Sequence, residues 1–263
     1  MKITVFTPTY NRAYTLQRLY ESLLKQDYKN FEWLVIDDGS TDDTKKLLNS
    51  YIDESIIDIR YYKVSNGGKH RAINMATDLA KGEVFFIVDS DDYLTSNALT
   101  RLIYWFGTIA GATEKFAGVS GLKGYSASEI IGNTFAGNYK DALYFERNKY
   151  KINGDKAEAF YTDVLRRYKF PEFEGENFIT EAVVWCKLAE NDYKIRYFNE
   201  IIYITEYMKD GLTNKSAMIR LVNINGTLFT YKYLMSLHKM PITLRLRYML
   251  NYIKFYIIKN IEN

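Results

Sequence analysis

Four times within its first hundred or so residues this chain repeats one unit: a short apolar run, a polar turn, and a stretch with helical spacing. Residues 3–7 lead into the turn 8–12 and a helical pattern over 14–24. Residues 32–36 lead into Asp37-Asp38-Gly39-Ser40-Thr41-Asp42, where Thr41 or Asp42 is placed to cap a helix reaching about residue 51. Residues 59–64 end in Ser65-Asn66-Gly67-Gly68-Lys69-His70 before a helix over 71–80, and residues 84–88 end in Asp89-Ser90-Asp91-Asp92. Strands alternating with helices need right-handed crossovers, so the sequence predicts an α/β fold with a mostly parallel sheet and all four polar turns on one edge. That edge, outside the carboxyl ends of the strands, is where open α/β sheets hold ligands.

The fourth turn places three carboxylates in four positions, which repel one another unless a cation sits among them. Hard oxygen ligands of this kind suit Mg²⁺ or Mn²⁺ better than zinc. A metal-bridged phosphate site is one reading; a solvated turn before a helix capped by Ser96 or Asn97 is the other. In the third turn, Gly67 and Gly68 permit close backbone approach beside Lys69, a cation able to reach phosphate. Cations are disfavoured at a helix N-terminus, so an anionic ligand would give Lys69 and His70 a reason to be there. With two histidines and one cysteine the chain lacks a zinc ligand set. His70 fits a structural hydrogen bond as well as a catalytic role, and Cys186, between Trp185 and Leu188, reads as buried filler.

In this order and at these intervals, TPTYNR, VIDDGSTDDT, NGGKHRAIN and VDSDD resemble the family 2 glycosyltransferases, well over residues 1 to about 110 and more loosely to about 213. The resemblance implies the GT-A fold, a Rossmann-like sheet flanked by helices, and an inverting transferase that uses a nucleotide-sugar, with uridine as the base, and Mn²⁺ or Mg²⁺. Carried over position by position, Thr7, Pro8, Thr9 and Tyr10 would pack against base and ribose, Arg12 would lie near the phosphates, and Asp38 would bond the base. Asp89, with Ser90 beside it, falls on the ribose and diphosphate side and next to the metal, Asp91 on the metal, and Asp92 near the metal or the transferred sugar. Gly68 and Lys69 would approach the phosphates. Inversion needs a base for the acceptor hydroxyl. The family's acidic motif matches at Glu181, whereas Ala182 stands where an Asp is expected; Glu176 is the second candidate and Asp92 the next. Glu176 and Glu181 also read as helix-entry acids, with Thr180 as a cap.

The chain has 263 residues, 47% hydrophobic and 16% aromatic, enough to bury one sizeable core with appendages. The expected division is a catalytic domain over 1–213, with a nucleotide-binding half 1–110 and an acceptor-side half 111–213, and a C-terminal basic aromatic helical segment over 214–263. Within the acceptor half, 116–122 and 157–165 read as strands, 132–148 as a polar, aromatic loop and 151–156 as a turn. Tyr139, Tyr144 and Tyr150 are either sugar-stacking rings or ordinary surface tyrosines.

The first residues read as a strand rather than a signal peptide, and no run approaches the roughly 20 apolar residues that cross a bilayer, so a cytoplasmic protein is expected. The tail reads as two helices parted near Met240-Pro241, with Arg245, Arg247, Lys254 and Lys259 among apolar and aromatic residues. That balance fits a helix on the anionic inner face of the plasma membrane, or equally one packed on the catalytic domain or on the twin of a homodimer. The net charge is only +3 and no motif supports a nucleic-acid partner. The first turn lacks the Gly-rich, Arg-bearing loop of a nucleotidyltransferase, and the absence of GxGxxG argues against a dinucleotide oxidoreductase. The expected activity is transfer to a saccharide or lipid-linked acceptor in bacterial surface polysaccharide synthesis; a non-catalytic sugar-nucleotide binding module is the alternative that Ala182 leaves open.

Overall fold

The computed structural model describes residues 1–206 and 216–261. In chain order the elements are β1 (Ile3–Thr9), α1 (Ala13–Leu24), β2 (Phe31–Asp37), α2 (Thr44–Glu54), β3 (Ile59–Lys63), α3 (Lys69–Leu79), β4 (Val84–Ile87), β5 (Tyr93–Leu94), α4 (Ala98–Ile109) and β6 (Phe116–Gly124). They continue through β7 (Tyr139–Ala142), β8 (Lys156–Tyr161), α5 (Thr162–Arg166), α6 (Ala182–Glu190), β9 (Lys194–Ile204), α7 (Ser216–Val222), α8 (Ile224–Ser236) and α9 (Ile242–Ile261). One sheet runs β3-β2-β1-β4-β8-β6-β9-β5, with β7 paired to β9.

The four anticipated strands, β1 to β4, pair in parallel. They read as continuous apolar runs because both faces are covered and alternate side chains go to opposite cores. Val5 and Phe86 join Leu16, Leu19, Leu102 and Phe106 on the face of α1 and α4. Phe6 and Phe85 join Ile73, Ala76, Val184 and Trp185 on the face of α3 and α6. Beyond β4 the sheet becomes mixed, since β8 is antiparallel to both β4 and β6, while β9 is parallel to β6.

Several expectations shift here. The strand anticipated over 157–165 stops at Tyr161, where its partner β4 begins at Val84. With no ladder left, Thr162 donates its N–H to the Glu83 carbonyl and its hydroxyl to the Gly82 carbonyl, and α5 begins. The expected loop over 132–148 contains β7, whose ladder is supplied by β9, a strand absent from the sequence reading. The tail has a further break at Asn223, whose Oδ1 accepts the Asn177 N–H at 2.7 Å, so α7 and α8 are separate helices. The anticipated boundary at 213/214 lies outside the described residues. Neither Thr41 nor Asp42 is the N-cap of α2, which is Asp43; Asp42, one position earlier, accepts the Thr44 N–H at 3.1 Å, and at α4 it is Gln26 Oε1 that accepts an N–H, from Leu99, at 3.1 Å. Cys186 is buried in a small third core with Phe145, Ala189, Leu234, Leu237 and Met240.

His70, in the first turn of α3, is 3% exposed, and neither ring nitrogen has a hydrogen-bond partner among the described residues. Burial, aided by the neighbouring Arg71 guanidinium, lowers its pKa from 6.5 to about 4. Between these values the unfolded chain binds a proton that the folded one does not, so stability present above about pH 6.5 is lost as the pH falls toward 4. Thermal melts between about pH 7 and pH 5 should show the wild type losing stability relative to His70→Asn, because acids common to both proteins cancel in the difference. Parallel curves would show that His70 takes up its proton equally in both states.

Candidate active site

Parallel pairing aligns the C-terminal turns of β1 to β4 on one edge. In the first turn, Asn11 adopts φ +53° and its Oδ1 accepts the Thr41 N–H at 2.7 Å, locking this turn to the next. Thr7 points inward and accepts the Trp33 Nε1–H at 2.9 Å. Thr9 is buried with its hydroxyl unpartnered among the described residues, Pro8 is half-buried, and Tyr10 is exposed. Arg12 donates to the Tyr14 hydroxyl at 3.0 Å.

The second turn supports the third. Asp38 accepts the Gly67 N–H at 2.7 Å with one carboxylate oxygen and the Gly68 N–H at 2.8 Å with the other. Burial nevertheless raises its pKa against those bonds. The residue matched by resemblance to base recognition is therefore also the clamp of the glycine turn. Gly68 takes φ +92°, and a Cβ there would collide with the Asn177 carbonyl oxygen, so only glycine fits.

That turn delivers Lys69 between two acids, Nζ lying 2.6 Å from Asp89 Oδ1 and 3.0 Å from Glu181 Oε1. Burial works against the ammonium, but Asp89 and Glu181 raise its pKa overall. In the fourth turn the Asp89 N–H donates to the Tyr203 hydroxyl at 2.9 Å, which donates in turn to Asp92 Oδ2 at 2.7 Å. Lys123 Nζ stands 4.0 Å from Asp89 and 3.9 Å from Asp92. Burial would raise the Asp89 pKa, but Lys69 and Lys123 hold it below the usual range. Asp92 is pushed up to about 7 by burial, against the pull of Lys123. Asp91 is raised by burial and by the neighbouring Asp89 charge. Ser90 is buried beside them.

Among the described residues no three His, Cys, Asp or Glu side chains converge as a cation cage. Mg²⁺ and Mn²⁺ sites built from one or two carboxylates plus substrate phosphates need none. Asp91 suits such a site, being partly desolvated beside another carboxylate whose own ion pairs are with Lys69 and Lys123.

The far wall is held by Arg71, whose guanidinium donates to the carbonyls of Gly67, Phe173 and Glu176. This ties the segment leading to Glu181 onto the glycine turn. Glu181 ends that segment with a partly exposed carboxylate. Glu176, the second candidate base, is placed elsewhere: its two oxygens accept the Asn225 and Gly226 N–H groups at 2.7 Å each, capping α8. Thr180 makes no cap either; its carbonyl accepts the Val183 N–H.

The sequence reading missed Lys123, Tyr203 and Glu158. Tyr203 sits on β9, a strand recognisable only with its partners, whereas Lys123 at the end of β6 and Glu158 in β8 lie in or beside strands that the sequence does predict, and the one local signal is a charge within an otherwise apolar run. Burial pushes Glu158 up to about 7, with Arg147 pulling it down and Glu181 pushing it further up. Of the three tyrosines considered for sugar stacking, Tyr144 borders this group, while Tyr139 packs on Trp105 of α4.

Residues 4–167 match the sequence profile of Glycosyl transferase family 2. The GalNAc(5)-diNAcBac-PP-undecaprenol beta-1,3-glucosyltransferase of Campylobacter jejuni is 29% identical over 196 residues, covering 71% of this chain and 59% of that protein. The chain spans about a fifth to three fifths of the lengths of the curated relatives it matches. Among solved structures, Staphylococcus aureus TarS 1-349 in complex with UDP aligns with a TM-score of 0.66 at 21% identity, over 97% of this chain and 71% of that 1-349 chain. The mannosyltransferase PcManGT of Pyrobaculum calidifontis, in complex with GDP-Man and Mn²⁺, aligns at 0.64 with 19% identity, over 95% and 69%. The shared fold is GT-A, and with four turns in register and a profile match over 4–167, the chain belongs to glycosyl transferase family 2.

Proposed function

We propose that this chain transfers a sugar from a UDP-sugar to a saccharide or lipid-linked acceptor of bacterial surface polysaccharide synthesis, with inversion. The observation that carries this reading is the set of charges at the end of β4: Asp91 desolvated beside Asp89, with Lys69 and Lys123 at the rim. Bound Mg²⁺ or Mn²⁺, held by Asp91 and Asp89, would offset the charge gained by the departing diphosphate. The first turn from Pro8 to Tyr10 forms the wall for base and ribose, with Thr7 turned inward to Trp33 rather than part of it, and Arg12 and Lys69 lie near the phosphates. UDP in the aligned TarS complex and undecaprenol diphosphate in the relative's name support this donor and acceptor.

Glu181 takes the acceptor hydroxyl proton as the oxygen bonds to the anomeric carbon and the bond to the diphosphate oxygen breaks on the opposite face. Lys69 orients the carboxylate from 3.0 Å. Glu176 is occupied as a helix cap, which leaves Glu181 facing the acid cluster.

Two substitutions separate these roles. Asp91→Asn should lower transfer by about 10²–10³-fold with the fold intact, as circular dichroism would check, because it removes a charge from a partly exposed turn rather than core volume. Near wild-type turnover in Mn²⁺ would exclude the acid cluster as the metal site. Glu181→Gln should lower kcat by roughly 10²–10⁴ at nearly constant UDP affinity, while Glu176→Gln loosens α8 and changes kcat little. Equal loss of nucleotide binding and turnover in Glu181→Gln would sink the base assignment.

For location we propose an anionic membrane surface. No helix among the described residues is long and apolar enough to cross a membrane. On α9, however, Ile242, Leu246, Met249, Leu250, Ile253 and Ile257 are exposed at spacings that put them on one face. Arg247 and Lys254 flank that face, and residues 242–261 contain no Asp or Glu. Such a row with basic flanks suits an anionic bilayer. Leu250→Glu with Ile253→Glu should abolish flotation with phosphatidylglycerol liposomes; unchanged flotation, or a dimer of the wild type by sedimentation that the double variant breaks, would assign the face differently.

A further inference from the structure

Arg18 and Ser22 lie one turn apart on the same face of α1, and Gln26, just past the end of the helix, continues their four-residue spacing. All three bond to the chain that leaves the acid cluster. Arg18 Nη2 donates to the Asp91 carbonyl at 2.7 Å, the Ser22 hydroxyl accepts the Leu94 N–H at 3.2 Å, and the Gln26 side-chain amide donates to the Thr95 carbonyl at 2.7 Å. The segment after β4 is thus fastened along α1, and Arg18 is the fastening nearest the acids.

Asp89 to Asp92 form a turn closed by the Asp92 N–H, which donates to the Asp89 carbonyl at 3.1 Å. Its two ends are held by the Tyr203 hydroxyl, which accepts the Asp89 N–H and donates to Asp92 Oδ2. The corner is held differently. Among the described residues, the bond from Arg18 is the only hydrogen bond that reaches Ser90 or Asp91 from outside the turn. Arg18 is itself oriented by two further contacts: Nη1 lies 2.5 Å from Glu206 Oε1, and the guanidinium carbon lies 4.9 Å from the centre of the Tyr93 ring. Glu206 leads back to the turn, its N–H donating to Asp92 Oδ1 at 3.3 Å. A closed circuit from Arg18 through Asp91, Asp92 and Glu206 therefore joins α1, the acid turn and the chain just past β9. Two nitrogens of one rigid guanidinium fork serve its two acceptors.

We infer that Arg18 is a positioning residue for the cation site, holding the Asp91 corner so that the carboxylate on it keeps one orientation toward the ion. It acts through the Asp91 backbone, with Glu206 as its anchor; rotation of the peptide after Asp91 would tilt the Cα that carries the carboxylate. A ligand group serves a metal only within roughly 0.5 Å and 10–20° of the required geometry. Loss of a group that orients a metal ligand typically costs about 10- to 100-fold in affinity. The inference rests on the proposed role of Asp91 in metal binding.

The test is Mn²⁺ uptake by the full chain in the presence of UDP, read from the electron paramagnetic resonance signal of the free ion. UDP affinity in metal-free buffer, by calorimetry, and the melting temperature are followed beside it. Arg18→Gln should weaken Mn²⁺ uptake about tenfold, the low end of the range for such groups. Arg18→Lys keeps the charge but offers one ammonium for two acceptors, so it should fall between Arg18→Gln and the wild type. Glu206→Gln should weaken uptake less than Arg18→Gln, since the bond to Asp91 survives. Metal-free UDP affinity should be the same in all four proteins, which a general loosening of the site would not allow. Mn²⁺ uptake equal to the wild type in both Arg18 variants, or metal-free UDP affinity falling as far as Mn²⁺ uptake, overturns the assignment. Should Arg18→Gln fail to fold, Arg18→Lys decides by the same criteria. Absence of Mn²⁺ uptake by the wild type itself would instead sink the metal reading of the acid cluster, and this inference with it.

Discussion

The Lys69 ammonium lies between carboxylates that come from opposite halves of the molecule, Asp89 at the end of β4 and Glu181 at the start of α6. A partly buried cation in that position is stable only because two acids flank it, and the acids can approach only because it separates them. Its placement is fixed from behind. Asp38 holds the amides of Gly67 and Gly68, Gly68 lets the Asn177 backbone pass at close range, and Arg71 ties the carbonyls of Phe173 and Glu176 to the same turn. The end of β4 and the start of α6 are thus set relative to each other by one turn of backbone.

A similar economy applies to Asp89 and Asp92. Tyr203 from β9 and Lys123 from β6 reach them from strands far along the chain, and these strands are present at the site because β8 reverses the direction of the sheet after β4. The parallel half supplies the turns; the mixed half supplies much of the charge compensation. Asp91 receives no such partner from β6 or β9; burial and the neighbouring Asp89 charge raise its pKa.

The C-terminal helix α9 divides its surface three ways. Tyr248 and Phe255 pack on Tyr231 of α8, Arg247 and Asn251 line a cavity of about 260 Å³ shared with α6, α7 and α8, and the row from Ile242 to Ile257 faces outward. A helix with 3.6 residues per turn can serve all three because successive residues point about 100° apart.

By itself the sequence determined the four strand–turn–helix units, their parallel pairing and the edge on which Asp38, Lys69, Asp89, Asp91 and Asp92 meet. These follow from local periodicity and from turn chemistry, which are written in neighbouring residues. It also placed Glu181 at the mouth of the site, but only through likeness to a family. It ranked Glu181 before Glu176 while reading both as helix-entry acids; only tertiary structure sets Glu176 under the amides of Asn225 and Gly226, some fifty positions away, and Glu181 beside Lys69. Nor did it reveal β9 or what Lys123 and Glu158 would face. A strand such as β9 exists by virtue of the ladders that β6 and β7 offer it, and a lone charge in an apolar run acquires meaning only from what the fold sets opposite it.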